Sequence, residues 1–212
     1  MAKLHVVKEG EHLSSIAATY GFCNFAPIWN ASENEPLRAL RQDPHQLLPG
    51  DQVVIPDDRG VTFVRPAGQS HTFSVHVEKL KLRLRILDLA GKPAAAQAGK
   101  LSLGETTTAV TTDGNGVITA DLPRDCQSGS LEIGGAQYHL VVGTLAPISE
   151  PSGLAGRLLN CGYWYGDDCD RNDARTLELA IELYQSENGL AITGTVDEAL
   201  IDKLSQTHDG KG

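Results

Sequence analysis

The side chains of this 212-residue chain best suited to chemistry are seven histidines and four cysteines. Their spacing does not assemble a reactive centre. His5, His12, His45, His71, His76, His139 and His208 form no HExxH pair, the spacing that sets two imidazoles on one helical face around zinc. They form no His-x-His or His-x-x-x-Asp ligand pair either. On a single strand, His71 and His76 would point to opposite faces. Cys23, Cys126, Cys161 and Cys169 are too sparse for a disulfide framework and lack the CxxC spacing of structural zinc. Cys161 and Cys169 would either pair after export or stay reduced, and both alternatives stay open. A glycosidase needs two carboxyls across a cleft. The densest carboxylate run, Asp167-Asp168-Cys169-Asp170-Arg171-Asn172-Asp173, reads instead as a solvated acidic loop. These residues predict a non-enzyme with no metal and no cofactor.

The elements that would position any site are clearest at the start of the chain. His5 to Lys8 is β-rich, and Gly10 allows a tight turn. Leu13, Ile16, Ala17 and Tyr20 fall at i, i+3, i+4 and i+7, one apolar stripe of a helix that Gly21 ends. A second helical region follows. Pro49-Gly50 then turns the chain into a strand at Val53-Val54-Ile55, which Pro56 closes. The order is βααβ.

The opening "VVKEGEHLSSIA" and the close "LLPGDQVVIP" resemble a LysM module, a small βααβ glycan-binding domain of cell-wall proteins. The resemblance implies a shallow groove for N-acetylated sugars, flanked by Gly10, Glu11, His12 and Leu13 on one side and Leu47, Leu48, Pro49 and Gly50 on the other. The alternative for Leu13 and Leu48 is a place in the core, and for the Gly and Pro residues a turn role alone. His12 stands where the family usually has Thr, which predicts a poorer helix N-cap. Residues 31–46 exceed the minimal module and carry Glu33, Glu35, Arg38 and Arg41. Trp29 in the second helical region reads as core.

The middle of the chain has the period of strands. Residues 79–86 alternate without a break, placing Lys79, Lys81, Arg83 and Arg85 on one face and Leu80, Leu82, Leu84 and Ile86 on the other. That cationic face is either a solvated surface or a docking surface for an acidic partner. Further strands are expected at 106–112, 117–120, 131–133 and 138–142, with turns at Asp88–Pro93, Asp113–Gly116 and Gly134-Gly135. Short strands punctuated in this way argue for an antiparallel β-sandwich. The "DLAGKP" and "TTDGNGVITADLP" runs resemble Ig-like or carboxypeptidase-regulatory-like domains, which implies a scaffold rather than an activity.

Beyond Pro147 and Pro151 the period becomes helical. A first helix carries Leu154, Leu158 and Leu159. A second, capped at Asn172-Asp173, carries Leu177, Ala180, Ile181 and Tyr184. A third, with capping-box spacing at Thr195 and Glu198, carries Leu200, Ile201 and Leu204. The phrases "LLNCGYWYGDD" and "LAIELYQSENGLAITGTVDEALIDKL" resemble the three-helix peptidoglycan-binding domain, matching at Gln185, Gly189, Leu190, Thr193 and Gly194. Tyr184 replaces the family's Phe, and the acidic run replaces its Asp-Gly loop. Trp164, in the aromatic run Tyr163-Trp164-Tyr165, is expected at the surface, where it could stack on sugar.

The fold expectation is therefore a multidomain α+β chain. It comprises a LysM-like domain at 1–58, a linker at 59–70, a β-sandwich at 71–143, a linker at 144–152 and a helical three-helix bundle at 153–212. Residues 1–60 carry five cations against eight carboxylates, and residues 61–150 eight against eight. Residues 151–212 carry five against eleven, within a total of −9. An acidic chain with no basic arm is a poor nucleic-acid binder. No apolar run reaches the length of a membrane span. The short lead before the first strand leaves no room for a secretory signal, so the chain is expected to be cytoplasmic as made, with delivery to the periplasm or a target-cell wall by another route. The resemblances imply a peptidoglycan or chitin-like glycan as partner. The module order also resembles proteins associated with type VI secretion or phage-like tails, which implies an adaptor that docks a spike or effector protein.

Overall fold

The structure is a computed structural model that describes residues 2–57, 64–74, 77, 79–88, 90–165 and 173–210. It is a mixed α and β chain with six α-helices and antiparallel sheets among the described residues. It divides into two compact units, Met1–Thr144 and Leu145–Gly212.

In the first unit, β1 (Lys3–Val6) pairs antiparallel with β2 (Gln52–Ile55), with His5 opposite Val53. Between them lie α1 (Leu13–Thr19), the single turn α2 (Ala26–Trp29), a 3₁₀ turn at Ser32–Asn34 and α3 (Glu35–Arg41), so the one second helical region expected is two helices and a 3₁₀ turn, broken by the prolines that start each helix. Pro27 and Pro36 stand in the first turns of α2 and α3, where a missing N–H costs nothing. Leu13, Ile16 and Ala17 bury the predicted stripe against Phe22, Ile28, Leu37, Val53 and Ile55, and Trp29 packs on that cluster half-buried. One polar residue fixes the layer. Asn34, 1% exposed, donates to the carbonyls of Ile28 and Val54 and accepts from the Val54 N–H. The expectation of a weak cap at His12 is overturned. Its imidazole accepts from the Ser15 N–H at 3.3 Å, and the Ser15 hydroxyl accepts from the His12 N–H at 3.0 Å. A Ser three residues on thus completes the reciprocal box that Thr would have begun.

The remainder of this unit is two antiparallel sheets. One pairs β3 (Leu80–Arg85) with β6 (Val117–Leu122). The other has the order β5 (Thr106–Thr111), β4 (Ala98–Leu103), β7 (Ser128–Ile133), β8 (Ala136–Val141). Leu101, Leu103, Leu131 and Ile133 of the larger sheet bury with Ile118, and Leu82 and Leu84 pack on this core from β3. Two turns use the same device. Asp88 Oδ1 accepts from the N–H groups of Ala90 and Lys92, and Asp113 Oδ1 from those of Asn115 and Val117. Strand β4 is not among the anticipated strands. Its alternation is broken by Gly99, where a Cβ would lie 2.6 Å from the Glu132 carbonyl oxygen. The close approach of β7 thus excludes the side chain that would have signalled a strand. The expected linker at 59–70 lies partly outside the described residues.

In the second unit, α4 (Pro151–Asn160), α5 (Ala174–Glu187) and α6 (Glu198–Leu204) share one core of Leu154, Leu158, Ala180, Ile181, Tyr184, Leu200 and Leu204. Asp173 caps α5 by accepting from the Thr176 N–H. The cap of α6 is Asp197, which accepts from the Leu200 N–H at 2.8 Å, and not Thr195. Thr195 donates its own N–H and hydroxyl to Thr193 instead. The last helix runs on into a π-helical turn, Ser205–Asp209. The acidic run at 167–172 and Cys169 lie outside the described residues.

Candidate functional site

The two loops expected to flank a groove lie side by side at one end of the β1–β2 pair. Gly50 donates its N–H to the Val7 carbonyl at 2.9 Å, and Leu13 donates to the Pro44 carbonyl at 3.1 Å. Gly10 and Gly50 both have left-handed backbones, with φ of 80° and 95°, which any other side chain would strain. The second loop is braced from α3. Arg41 holds Asp51 in a two-pronged pair at 2.7 and 2.9 Å, and Asp51 Oδ2 accepts from the Leu48 N–H. Arg38, in the same helix, donates to the carbonyls of Trp29 and Ala31. These arginines therefore support backbone.

The candidates divide by burial. His12, Leu13 and Leu47 are buried and belong to the core. Leu48 is half-buried and Pro49 and Gly50 are exposed, so the free rim is Leu48–Gly50. Glu11 is half-buried and already engaged, accepting from the Lys8 N–H and pairing with His5 Nε2, each at 2.8 Å. His5 Nδ1 lies 3.2 Å from the Tyr20 hydroxyl, so Glu11, His5 and Tyr20 form one chain of contacts behind the first loop. His5 was not among the expected site residues. Its sequence signal is only a polar residue within a short strand.

Gly10 is not open on all sides. A Cβ on Gly143, just past β8, would lie 2.3 Å from the Gly10 carbonyl oxygen. The Gln127 side chain and the Val142 carbonyl also stand near Gly10. Arg124 reaches from the β-sheet region to the carbonyls of Phe22 and Cys23, at 2.9 and 3.2 Å. One flank of the expected groove is thus met by the chain's own middle region. Gly143→Ala should cost about 1–3 kcal/mol, since it adds a clash to a backbone at φ 82°. Gly104→Ala, at φ 57° with nothing within 4 Å, should cost less. Urea unfolding of the two variants checks the difference.

Trp164 corrects an expectation. It is 6% exposed and packs in the helical core beside Leu158 and Ile181, while neighbouring Tyr165 is the exposed member of the aromatic run. The matched residues Gln185, Thr193 and Gly194 also do structural work. The fully buried Gln185 amide accepts from the N–H groups of Thr193 and Gly194 and donates to the Thr193 hydroxyl.

The basic face of β3 is present, with Lys81, Arg83 and Arg85 exposed. Among the described residues, its acidic neighbours include Asp113, whose carboxylate feels the Arg83 charge, and Asp121. Asp121 of β6 sits directly opposite Lys81 and pairs with it, and Lys79 lies 3.7 Å away. The hydrogen bond and charge of Lys81 hold the Asp121 carboxyl below its ordinary range. Arg83 faces Thr119 and Arg85 faces Val117.

The Cys161 thiol is pushed up to about 11, by burial first and then by the Asp209 carboxylate, which keeps it protonated and a poor nucleophile. Among the described residues, no group of three His, Cys, Asp or Glu side chains is placed to hold a metal ion, and no helix is long and apolar enough to cross a membrane. No family model, no curated protein and no solved structure matches the chain.

Proposed function

We propose that the chain is a non-catalytic binding protein for the N-acetylated glycan of bacterial wall. Its βααβ segment serves as a LysM-type module, the two sheets as a sandwich spacer, and the three helices as a peptidoglycan-binding-like bundle. The observation that supports this reading is the rim of half-buried Leu48 and exposed Pro49 and Gly50. Arg41 and Asp51 hold it rigid beside the Gly10–Glu11 turn. A pre-set apolar and backbone surface suits a sugar chain, because little ordering is needed on binding.

The expected result is that the purified chain sediments with insoluble peptidoglycan without releasing soluble muropeptides. Leu48→Asp, at the rim, should reduce sedimentation while leaving the fold intact. Clearing of wall sacculi by the pure protein would overturn the non-enzyme reading, and failure to sediment at low salt would overturn glycan binding.

One observation favours a second reading, an adaptor that docks a spike or effector component of a contractile secretion machine. The Gly10 flank is occupied by Gly143 and Gln127, so the βααβ segment already uses part of its groove edge for protein contact. In this reading the exposed basic face of β3 is a candidate partner surface.

A further inference from the structure

Two strands cannot cover four. The β3–β6 pair packs over the middle of the larger sheet and leaves its β5 side bare. Thr106 and Thr108 share the inner face of that sheet with Leu101 and Leu103, yet both are exposed, and Val110 is only half-buried. A cleft of about 800 Å³ opens there, floored by Leu101, Val110, Ile118 and Ala120.

The lining gives the shape of what would fill it. Along β5 it includes every residue from 108 to 111, and along β6 every residue from 118 to 122. Alternate residues of a strand point to opposite faces, so an unbroken run means that the backbone edge itself forms the wall. Among the described residues β5 pairs only with β4 and β6 only with β3, and Val77 and Lys79, before β3, border the cleft at one end. Unpaired N–H and C=O rows beside an apolar trough are the requirements for strand addition.

We propose that this cleft takes an extended peptide strand from a partner protein, added alongside β6 and lying over β5. The chemistry of the strand follows from its walls. Its inward side chains alternate as apolar residues over Leu101, Val110 and Ile118. Its flank is acidic, because Lys79, Lys81 and Arg124 gather where β6 ends, against Asp121 as their carboxylate. The strands bordering the cleft have six residues each, which sets the length of the insert. This surface is separate from the Leu48–Gly50 rim, so it stands or falls independently of glycan binding.

The test uses the full chain and an acetylated, amidated probe peptide of sequence Glu-Val-Thr-Val-Thr-Val-Glu. Calorimetry should detect binding that weakens with added salt. Amide exchange should show new protection at those amides of residues 118–122 that do not bond β3. A peptide of the same composition with its valines contiguous should bind about tenfold more weakly, as should a Lys-flanked version. Ala120→Trp, which fills the trough, and Thr108→Arg, at a position exposed in the free chain, should each abolish binding. Thr108→Arg should leave the unfolding midpoint unchanged, separating lost binding from lost fold. Equal binding of the contiguous-valine peptide would reduce the cleft to a non-specific apolar patch and overturn the proposal. So would protection, in the free chain, of those β6 amides that do not bond β3, which would mean that the chain fills its own edge. Dimerisation that Thr108→Arg abolishes would assign the cleft to a second copy and also overturn it.

Discussion

Arg157→Met should unfold the helical unit, with a loss of about 3–5 kcal/mol, the usual cost of removing one member of a buried ion pair. Arg157 lies in α4 and is 0% exposed. Its Nε donates to both carboxylate oxygens of Asp209, at 3.0 and 3.1 Å. Its Nη1 donates to the carbonyls of Ala146 and Gly153, at 2.9 and 3.0 Å. One guanidinium therefore ties the segment before α4, the first turn of α4 and the end of the chain's last turn. Methionine fills much of the volume but removes the guanidinium's donors to the Asp209 carboxylate and to the Ala146 and Gly153 carbonyls. Burial opposes ionisation of Asp209, but the His208 hydrogen bond and the Arg157 charge outweigh it, so the carboxyl stays below its ordinary range. That contribution is present above the unfolded carboxylate value, about pH 4, and is lost as pH falls through the lower folded value. Trp164 sits in the same core, so its fluorescence reports the transition. Arg175→Met, which removes only an exposed pair with Glu178, should leave the midpoint in place. Equal behaviour of the two variants would show that the Arg157 network contributes nothing.

Acid should destabilise the segment from β1 to β2 well above the carboxylate range, and His12 is the cause. Burial, then the neighbouring charge of His45, lowers the His12 imidazole to about 4. The His45 ring stands 5.9 Å away edge-on, and Phe25 packs edge-on against His45 at 5.1 Å. A neutral His12 is also what the cap requires, because Nδ1 must accept from the Ser15 N–H. In the unfolded chain the imidazole takes its proton near pH 6.5. The stabilisation is therefore full above about pH 6.5 and declines steadily as pH falls towards 4, by on the order of 3 kcal/mol in total. Urea midpoints at pH 7.5 and pH 5 should differ accordingly. His12→Thr keeps a side-chain cap and removes the titration, so its midpoint should change much less between the two pH values. An identical pH dependence in the variant would assign the effect to other groups.

The same residue marks the boundary between what local sequence reveals and what it does not. The helix at Leu13–Thr19, the alternation of β3 and the apolar stripes of α4 to α6 are legible because a period of 3.6 or 2 is a property of a single segment. The Asp88 and Asp113 turns are legible for the same reason, since a side chain bonding its own backbone needs no partner elsewhere. The first helix, the alternating faces of β3 and the helical stripes were thus determined by the sequence alone. What failed were readings that depended on a neighbour distant in the chain. His12 looked like a poor cap because the burial that keeps its ring neutral comes from packing against His45 and the core. Trp164 looked like a surface ring because nothing local signals that α4, α5 and α6 close over it. Strand β4 was hidden because β7 approaches too closely for a side chain at Gly99. Asp121 opposite Lys81, Gly143 against Gly10 and the edges of β5 and β6 exist only once strands are paired. Tertiary structure decided those features, because burial, register and edge exposure are set by which segments meet.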